Sequence, residues 1–558
     1  MFELPQGRIT GKALRALVKA VRHTPAHRLT SAVLRQQLGI EDLKRLPEDA
    51  RLALPMNYLP VRARPDHGRP SENKPLPADQ KWPNTTQGYA RALREGRITA
   101  DELCERAFVA AKDLARHQPS LGPLSELDED GAREAATASA NRFRAGTPLG
   151  PLDGVPVAIK EEIDFTGLPT RLGTGWMPQS PATSDSTCVA RLRNAGALLL
   201  GQTPMTEYGL SPLGGNVHRT MPRNAHNPGH LPGGSSSGSG VAVATGVTPV
   251  ALGVDGGGSI RIPACFNGVF GLKPTFGLIP ATGHGSAGGS SVVHLGPIGA
   301  SSYDLAVFLE ATAGSDWTDT ASLPAPAYNQ GDLVAALSRG VRGLRIGVIE
   351  SEWDAASHEV SDAGHRALRA LEAAGAELVQ VKLPLVRHAA AMGYLTIGLE
   401  IFTAMRIERA EHMDELGLDV QLLMRGMEAF ASDDYLDAQR LRARLRAETA
   451  KLLSEVDVLA LPTTAATAPP VTEAEASQGF VDPPALEDAC RFAFLGNLTG
   501  IPAGTAPVGL GARGLPIGLQ ILGDAYDEAC VLAVLAELER SGAARAERPA
   551  SGLDLLDM

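Results

Sequence analysis

Residues 233–275 read GGSSSGSGVAVATGVTPVALGVDGGGSIRIPACFNGVFGLKPT, and this stretch decides the reading of the whole chain. Two glycine-dense turns, 233–240 and 256–259, flank an apolar segment over 241–254. Glycine permits backbone angles that side chains disfavour and lets a ligand approach the main chain closely. The second turn therefore offers successive unobstructed N–H groups ahead of Ser259, an arrangement able to hold an anion or a developing oxyanion. Taken alone, GGSSSGSG has the composition of a flexible linker. Its context argues otherwise: the apolar run follows the first turn, and Ile260, Ile262, Pro263 and Ala264 follow the second, so the chain is expected to enter a core on both sides.

Gly234, Ser236 and Gly238 also match the G-x-S-x-G pattern of a nucleophile elbow, which requires a buried strand immediately before it. The preceding residues are Asn227, Pro228, Gly229, His230, Leu231 and Pro232. Proline lacks the ladder donor, so a central strand is not expected there.

Outside this stretch, Val155, Val157 and Ile159 alternate as in a strand that would deliver Lys160 at its end. Together the blocks resemble the amidase signature family. Gly233, Gly234, Ser235 and Ser236 fit its first block, Asp255, Gly257, Gly258, Ser259, Ile260, Arg261 and Pro263 its D-x-G-G-S-I-R-x-P block, and Gly271 to Thr275 its GLKPT block. Asp153, Gly154, Pro156 and Lys160 supply its D-G-x-P-x-x-x-K context. Ser237 stands where glycine is usual, and Gly240 where alanine is common. Further matches extend the resemblance over about residues 86 to 545, among them the Asn497 to Ala503 run and the Gly514 to Gln520 run; Gln202 replaces a usual lysine and Ala225-His226 a usual Pro-Trp.

The resemblance implies an α/β fold, a large mixed twisted β-sheet flanked by helices on both sides. It further implies amide hydrolysis through an acyl-enzyme, with Ser259 as nucleophile, Ser235 as proton relay after a cis peptide bond, and Lys160 as base. Gly256, Gly257 and Gly258, with Ser259, would supply the oxyanion hole, and Gly209 and Leu210 would border the acyl pocket. No metal and no organic cofactor is implied. An ester or carbamate hydrolase, one component of a glutamine-dependent amidotransferase, and a non-catalytic binding member remain as alternatives. A lysine base must be neutral, so Lys160 is expected in a site that is dry apart from the serine relay.

The chain has 558 residues, 44% hydrophobic and 21% charged, as in a soluble globular protein, and its net charge of -11 argues against a nucleic-acid partner. A small-molecule amide is the expected partner. Five scattered cysteines without C-x-x-C spacing indicate neither a disulfide framework nor a zinc site, and with no signal or membrane-spanning pattern they fit the cytoplasm. His226 and His230 read as surface-loop histidines rather than metal ligands, because Pro228 and Gly229 break the helical face that such spacing exploits.

Residues 1–85 read as a helical N-terminal extension and connector, 86–545 as the catalytic domain and 546–558 as a C-terminal tail. Arg8, Lys12, Arg15, Lys19, Arg22, Arg28 and Arg35 make the start of the chain basic, and Leu14, Leu17, Val18 and Val21 share a helical face. A membrane-surface helix and a homodimer contact are the functional readings; packing on the chain's own catalytic domain is favoured over both. Thr99 with Glu102 predicts a capping box, and residues 185–203 predict a helix followed by a short buried strand. A helix is expected after Ser432 whose Arg440, Arg442, Arg444 and Arg446 are solvated charges.

Overall fold

The computed structural model describes residues 7–21, 32, 35–51, 60–63, 71–77, 84–177, 180–285 and 290–558. Its strands, in chain order, are β1 (Ile9–Thr10), β2 (Glu126–Leu127), β3 (Pro156–Lys160), β4 (Leu198–Thr203), β5 (Val250–Asp255), β6 (Phe270–Lys273), β7 (His294–Gly299), β8 (Arg345–Val348), β9 (Glu377–Gln380), β10 (Val458–Pro462), β11 (Phe480–Val481), β12 (Ala503–Leu510) and β13 (Pro516–Gly523). Eleven of them form one sheet in the order β2-β4-β3-β5-β7-β6-β12-β13-β10-β8-β9. Pairing is parallel among β4, β3 and β5 and among β10, β8 and β9, and antiparallel from β5 through β13 to β10. This is the large mixed α/β sheet expected.

Every residue of β3 and β5 is buried, because helices cover both faces. On one side Val157, Ile159, Leu252 and Val254 join a core with Leu305 and Phe308 of helix Ser302–Thr312 and Val531 and Leu535 of helix Glu528–Arg540. On the other, Ala158 and Ala251 pack with Val243 and Ala244 of helix Ser237–Ala244 and Ala264 of helix Arg261–Phe266. Small residues on that second face let two short helices sit close to the sheet, and both begin at the glycine turns. Upstream, Thr99 and Glu102 form the expected capping box on helix Ala100–Ala115, and Ser186 caps helix Thr187–Asn194 ahead of β4.

Helix Gly11–Val21 buries Leu14, Val18 and Val21 and leaves Lys12, Arg15 and Lys19 exposed. Its apolar face meets Leu418 and Leu422 of helix Leu418–Met427, so this segment packs on its own chain. β1 pairs with β11, Ile9 opposite Val481 and Thr10 opposite Phe480, and Arg8 ties the junction to Asp482 at 2.8 Å and Glu475 at 3.1 Å. Arg22, Arg28 and most of the expected connector lie outside the described residues. The segment 546–558 is docked as well: Leu555 is fully buried in the cluster of Tyr89, Leu103 and Phe108, and Arg106 donates to its carbonyl at 2.8 Å.

Helix Ser432–Leu453 departs from the expectation of solvated charges. Arg442 and Arg446, four residues apart and so on one face, are both buried. Arg442 donates to Ser291 Oγ at 2.6 Å and to the Ser291 and Leu498 carbonyls, both at 2.8 Å. Burial pushes the Arg446 guanidinium down to about 10. On the opposite face Arg440 pairs with Glu48 and Arg444 with Glu448, as solvated charges do.

Candidate active site

Lys160 ends β3 inside the molecule, fully buried, with Nζ hydrogen-bonded to Ser235 Oγ at 2.7 Å and to the Val254 carbonyl at 3.4 Å. Burial pushes the Lys160 ammonium below its ordinary value, against the pull of Glu162, Asp255 and Glu161. Ser235 follows a cis Gly234–Ser235 peptide bond, and the Ser236 N–H reaches the Ser259 carbonyl at 3.4 Å, so the two glycine turns touch. A Cβ at Gly234 would stand 2.7 Å from the Ser211 carbonyl oxygen, which is why only glycine fits there.

Asp255, at the end of β5, shapes the second turn. Its carboxylate accepts from Gly258 N–H at 2.7 Å, Ile260 N–H at 3.1 Å, Asn497 Nδ2 at 2.9 Å, and Arg261 Nε at 3.0 Å and Nη2 at 2.9 Å. Burial disfavours this charge, yet Arg261 and Asn497 outweigh it and hold the carboxyl well below its usual range. Gly258 has φ +115, and a Cβ there would press on Ile262 and Ala493 at 2.5 and 2.9 Å.

A cavity of about 640 Å³ opens over these residues. Ser235, Ser259, Gly256, Gly257, Gly209 and Leu210 line one part of it, with Glu162 and His284 beside them. Val293, Ile397, Ile401, Leu423, Met427 and Phe494 make an apolar wall, and Ile9, Leu17 and Leu38 bring the start of the chain into it. The volume falls in the range that buries a small organic ligand. Among the described residues no group of side chains could hold a metal ion, and no helix is long and apolar enough to cross a membrane.

The sequence model of the Amidase family matches residues 108–532. The chain belongs to this family. It is an amide hydrolase, an enzyme acting on C–N bonds other than peptide bonds. Among its relatives, a fatty acid amide hydrolase of Medicago truncatula is 34% identical over 479 residues, 84% of this chain and 78% of that one. One component of the glutamyl-tRNA(Gln) amidotransferase of Synechococcus sp. strain CC9605 is 33% identical over 501 residues, 84% of this chain and 98% of that one. Among solved structures, the peptide amidase from Stenotrophomonas maltophilia superposes with a TM-score of 0.71 at 28% identity, covering 83% of this chain and 97% of that one.

Within this amidase Lys160 is bonded to Ser235, and Ser235 and Ser259 line the same cavity. Gly209 and Leu210 line the cavity too, and a Cβ on Gly209 would lie 3.3 Å from Ser235 Oγ. Gly258 departs from the expected oxyanion set, because its N–H is donated to Asp255; those of Gly256, Gly257 and Ser259 meet no acceptor among the described residues. Ser236 is fully buried and bonded through Oγ to the Val254 carbonyl and N–H, both at 3.2 Å, and no strand lies between β4 and β5, so the elbow pattern is a coincidence of small residues.

His230 is not on the surface but buried in an isolated bridge to Pro470, and the half-buried His226 bonds the Asn267 carbonyl at 3.2 Å. A loop that carries Asn224, itself bonded to the Phe266 carbonyl at 2.7 Å, is pulled inward despite its polar sequence. The expectation of a site dry apart from its serines also changes. Glu162 Oε1 lies 2.5 Å from Lys160 Nζ, and Glu162 Oε2 lies 3.3 Å from His284 Nε2. The Lys160 contact is an ion pair off the hydrogen-bond axis. Burial works against the Glu162 charge, but Lys160 and His284 hold its carboxyl down at about 2. Glu162 stands two residues from Lys160 in the sequence, yet nothing in a Lys-Glu-Glu run says which carboxylate turns inward. Glu161 turns too, toward Arg219, and burial raises it to about 7.

Proposed function

We propose that this amidase hydrolyses amides of apolar, fatty acyl groups through an ester on Ser259. Ser259 Oγ attacks the amide carbonyl carbon; its proton passes to Ser235 Oγ as the Ser235 proton passes to neutral Lys160 Nζ. The N–H groups of Gly256, Gly257 and Ser259 receive the oxyanion. The tetrahedral intermediate collapses, Lys160 returns its proton through Ser235 to the departing amine, and water releases the carboxylate by the reverse relay.

The observation that carries this reading is the 2.7 Å bond between a fully buried lysine and Ser235, which shares its cavity with Ser259. Burial shifts Lys160 toward the neutral amine that a base requires, against the pull of Glu162. The apolar wall of the cavity and the relatives named for fatty acid amides support the acyl class. The buried thiols of Cys104, Cys188, Cys265, Cys490 and Cys530, which form no disulfide, agree with a reducing, cytoplasmic setting.

Peptide mass spectrometry after treatment with a fluorophosphonate tests the roles. Modification is expected on Ser259, lost in Ser259→Ala and slowed by several orders of magnitude in Lys160→Ala, with no rescue in Lys160→Arg because guanidinium stays protonated. A label on Ser236, or turnover of glutamine in preference to long-chain acyl amides, would refute the proposal.

A further inference from the structure

We infer that Glu162, held by His284, is a positioning residue that supplies the counter-charge for the Lys160 ammonium formed during acylation. The inference rests on the reading of Lys160 as the base. When Lys160 takes the proton of Ser235, a neutral amine becomes a cation at a fully buried position, and an unpaired buried cation is costly. A carboxylate 2.5 Å away offsets that cost as the cation forms. His284, 3.3 Å from the far oxygen of Glu162, and Lys160 on the near one keep the carboxylate between them, and Glu162 and His284 both line the cavity that holds Ser259.

The other charged groups around Lys160 have partners of their own. Asp255, reaching in from β5, is engaged by Arg261 and Asn497; Glu161, next in the chain, is paired with Arg219. From β4, residues Leu198–Thr203 bring no titratable side chain. Among the described residues, Glu162 is thus the carboxylate that Lys160 shares with His284.

The same contact has a second, opposite effect. A carboxylate beside an ammonium favours the charged form, so Glu162 raises the pH at which Lys160 becomes a base. Removing its charge should therefore move the rising limb of the rate profile to lower pH and at the same time lower the plateau, because the developing cation has lost its partner. A residue with a merely structural role would lower the rate without moving the limb.

The test is the rate of fluorophosphonate inactivation of the full chain from pH 5 to 10, with circular dichroism confirming the fold. Glu162→Gln is expected to shift the limb down by about one to three pH units, the span an adjacent opposite charge commands, and to reduce the plateau at least tenfold. Glu162→Asp keeps the charge but draws it back by one methylene. It shifts the limb in the same direction by less, and serves where the glutamine variant does not fold. An unmoved limb, or a plateau equal to that of the unaltered enzyme, overturns the inference. Lys160→Ala separates the two readings: if it retains the limb, Lys160 is not the base; if it loses the limb while the Glu162 variants keep theirs, only the role of Glu162 fails.

Discussion

Replacing Arg261 with methionine should destabilise the enzyme through Asp255, and the loss should fade as the solution is acidified. The guanidinium is fully buried and makes two of the contacts to the Asp255 carboxylate, at 3.0 and 2.9 Å, besides donating to the Ala493 carbonyl at 2.8 Å and to Asn497 at 2.6 Å. Removing one partner of such a buried pair leaves an uncompensated charge, at a cost of about 3–5 kcal/mol near pH 8. In the unaltered enzyme Asp255 sits well below its usual range, so its contribution is complete above the unfolded value of about 3.9 and is lost only as pH falls through the lower folded value. Between pH 8 and 5 that contribution is flat.

In Arg261→Met, burial dominates, the folded carboxyl titrates above its unfolded value, and the folded state takes up a proton that the unfolded chain does not. Each pH unit below that raised value and above about 3.9 returns up to about 1.4 kcal/mol. Equilibrium urea unfolding followed by tryptophan fluorescence at pH 8 and pH 5 measures both quantities. A loss under about 1 kcal/mol at pH 8 would refute the reasoning, and so would one that fails to shrink at pH 5.

Two further predictions concern the first helix and the cavity wall. Leu14→Ala empties a fully buried site between the first helix and residues 418–422, at a local cost of about 2–5 kcal/mol; hydrogen exchange over residues 9–21 should quicken, and unchanged protection would mean that the helix is held otherwise. Gly209→Ala, at φ +70 and with its new Cβ 3.3 Å from Ser235 Oγ, should slow fluorophosphonate labelling at least tenfold and lower stability by about 1–2 kcal/mol, whereas an unaltered labelling rate would remove Gly209 from contact with the relay.

The turns and the strand that carry Lys160, Ser235 and Ser259 were legible because glycine density and apolar flanks are local signals. The core also followed, since β3 and β5 are buried on every residue and read as apolar runs. What the sequence hid were pairings across long separations. Nothing near Arg442 announces Ser291 and Leu498 as its acceptors, and nothing near Gly258 distinguishes an N–H aimed at a ligand from one aimed at Asp255. The inward turn of Glu162 depends on His284, more than a hundred residues later, and polar loops such as that of His230 are drawn under cover by hydrogen bonds that composition does not encode.

The pairing of β1 with β11 joins residues more than 460 positions apart, and Leu17 and Ile9 reach the cavity from that junction. Contacts of such separation form late, because the loop they close must first be ordered. Synthesis on the ribosome runs from the N-terminus, so β3, β5 and the two glycine turns emerge long before the partner of the first strand exists. A growing chain at that stage holds the lysine and both serines but lacks Phe494, Asn497 and the strand that seats Ile9. The wall of the cavity that Ile9 and Phe494 supply is therefore completed only late in synthesis, when the first strand meets its partner at Phe480–Val481.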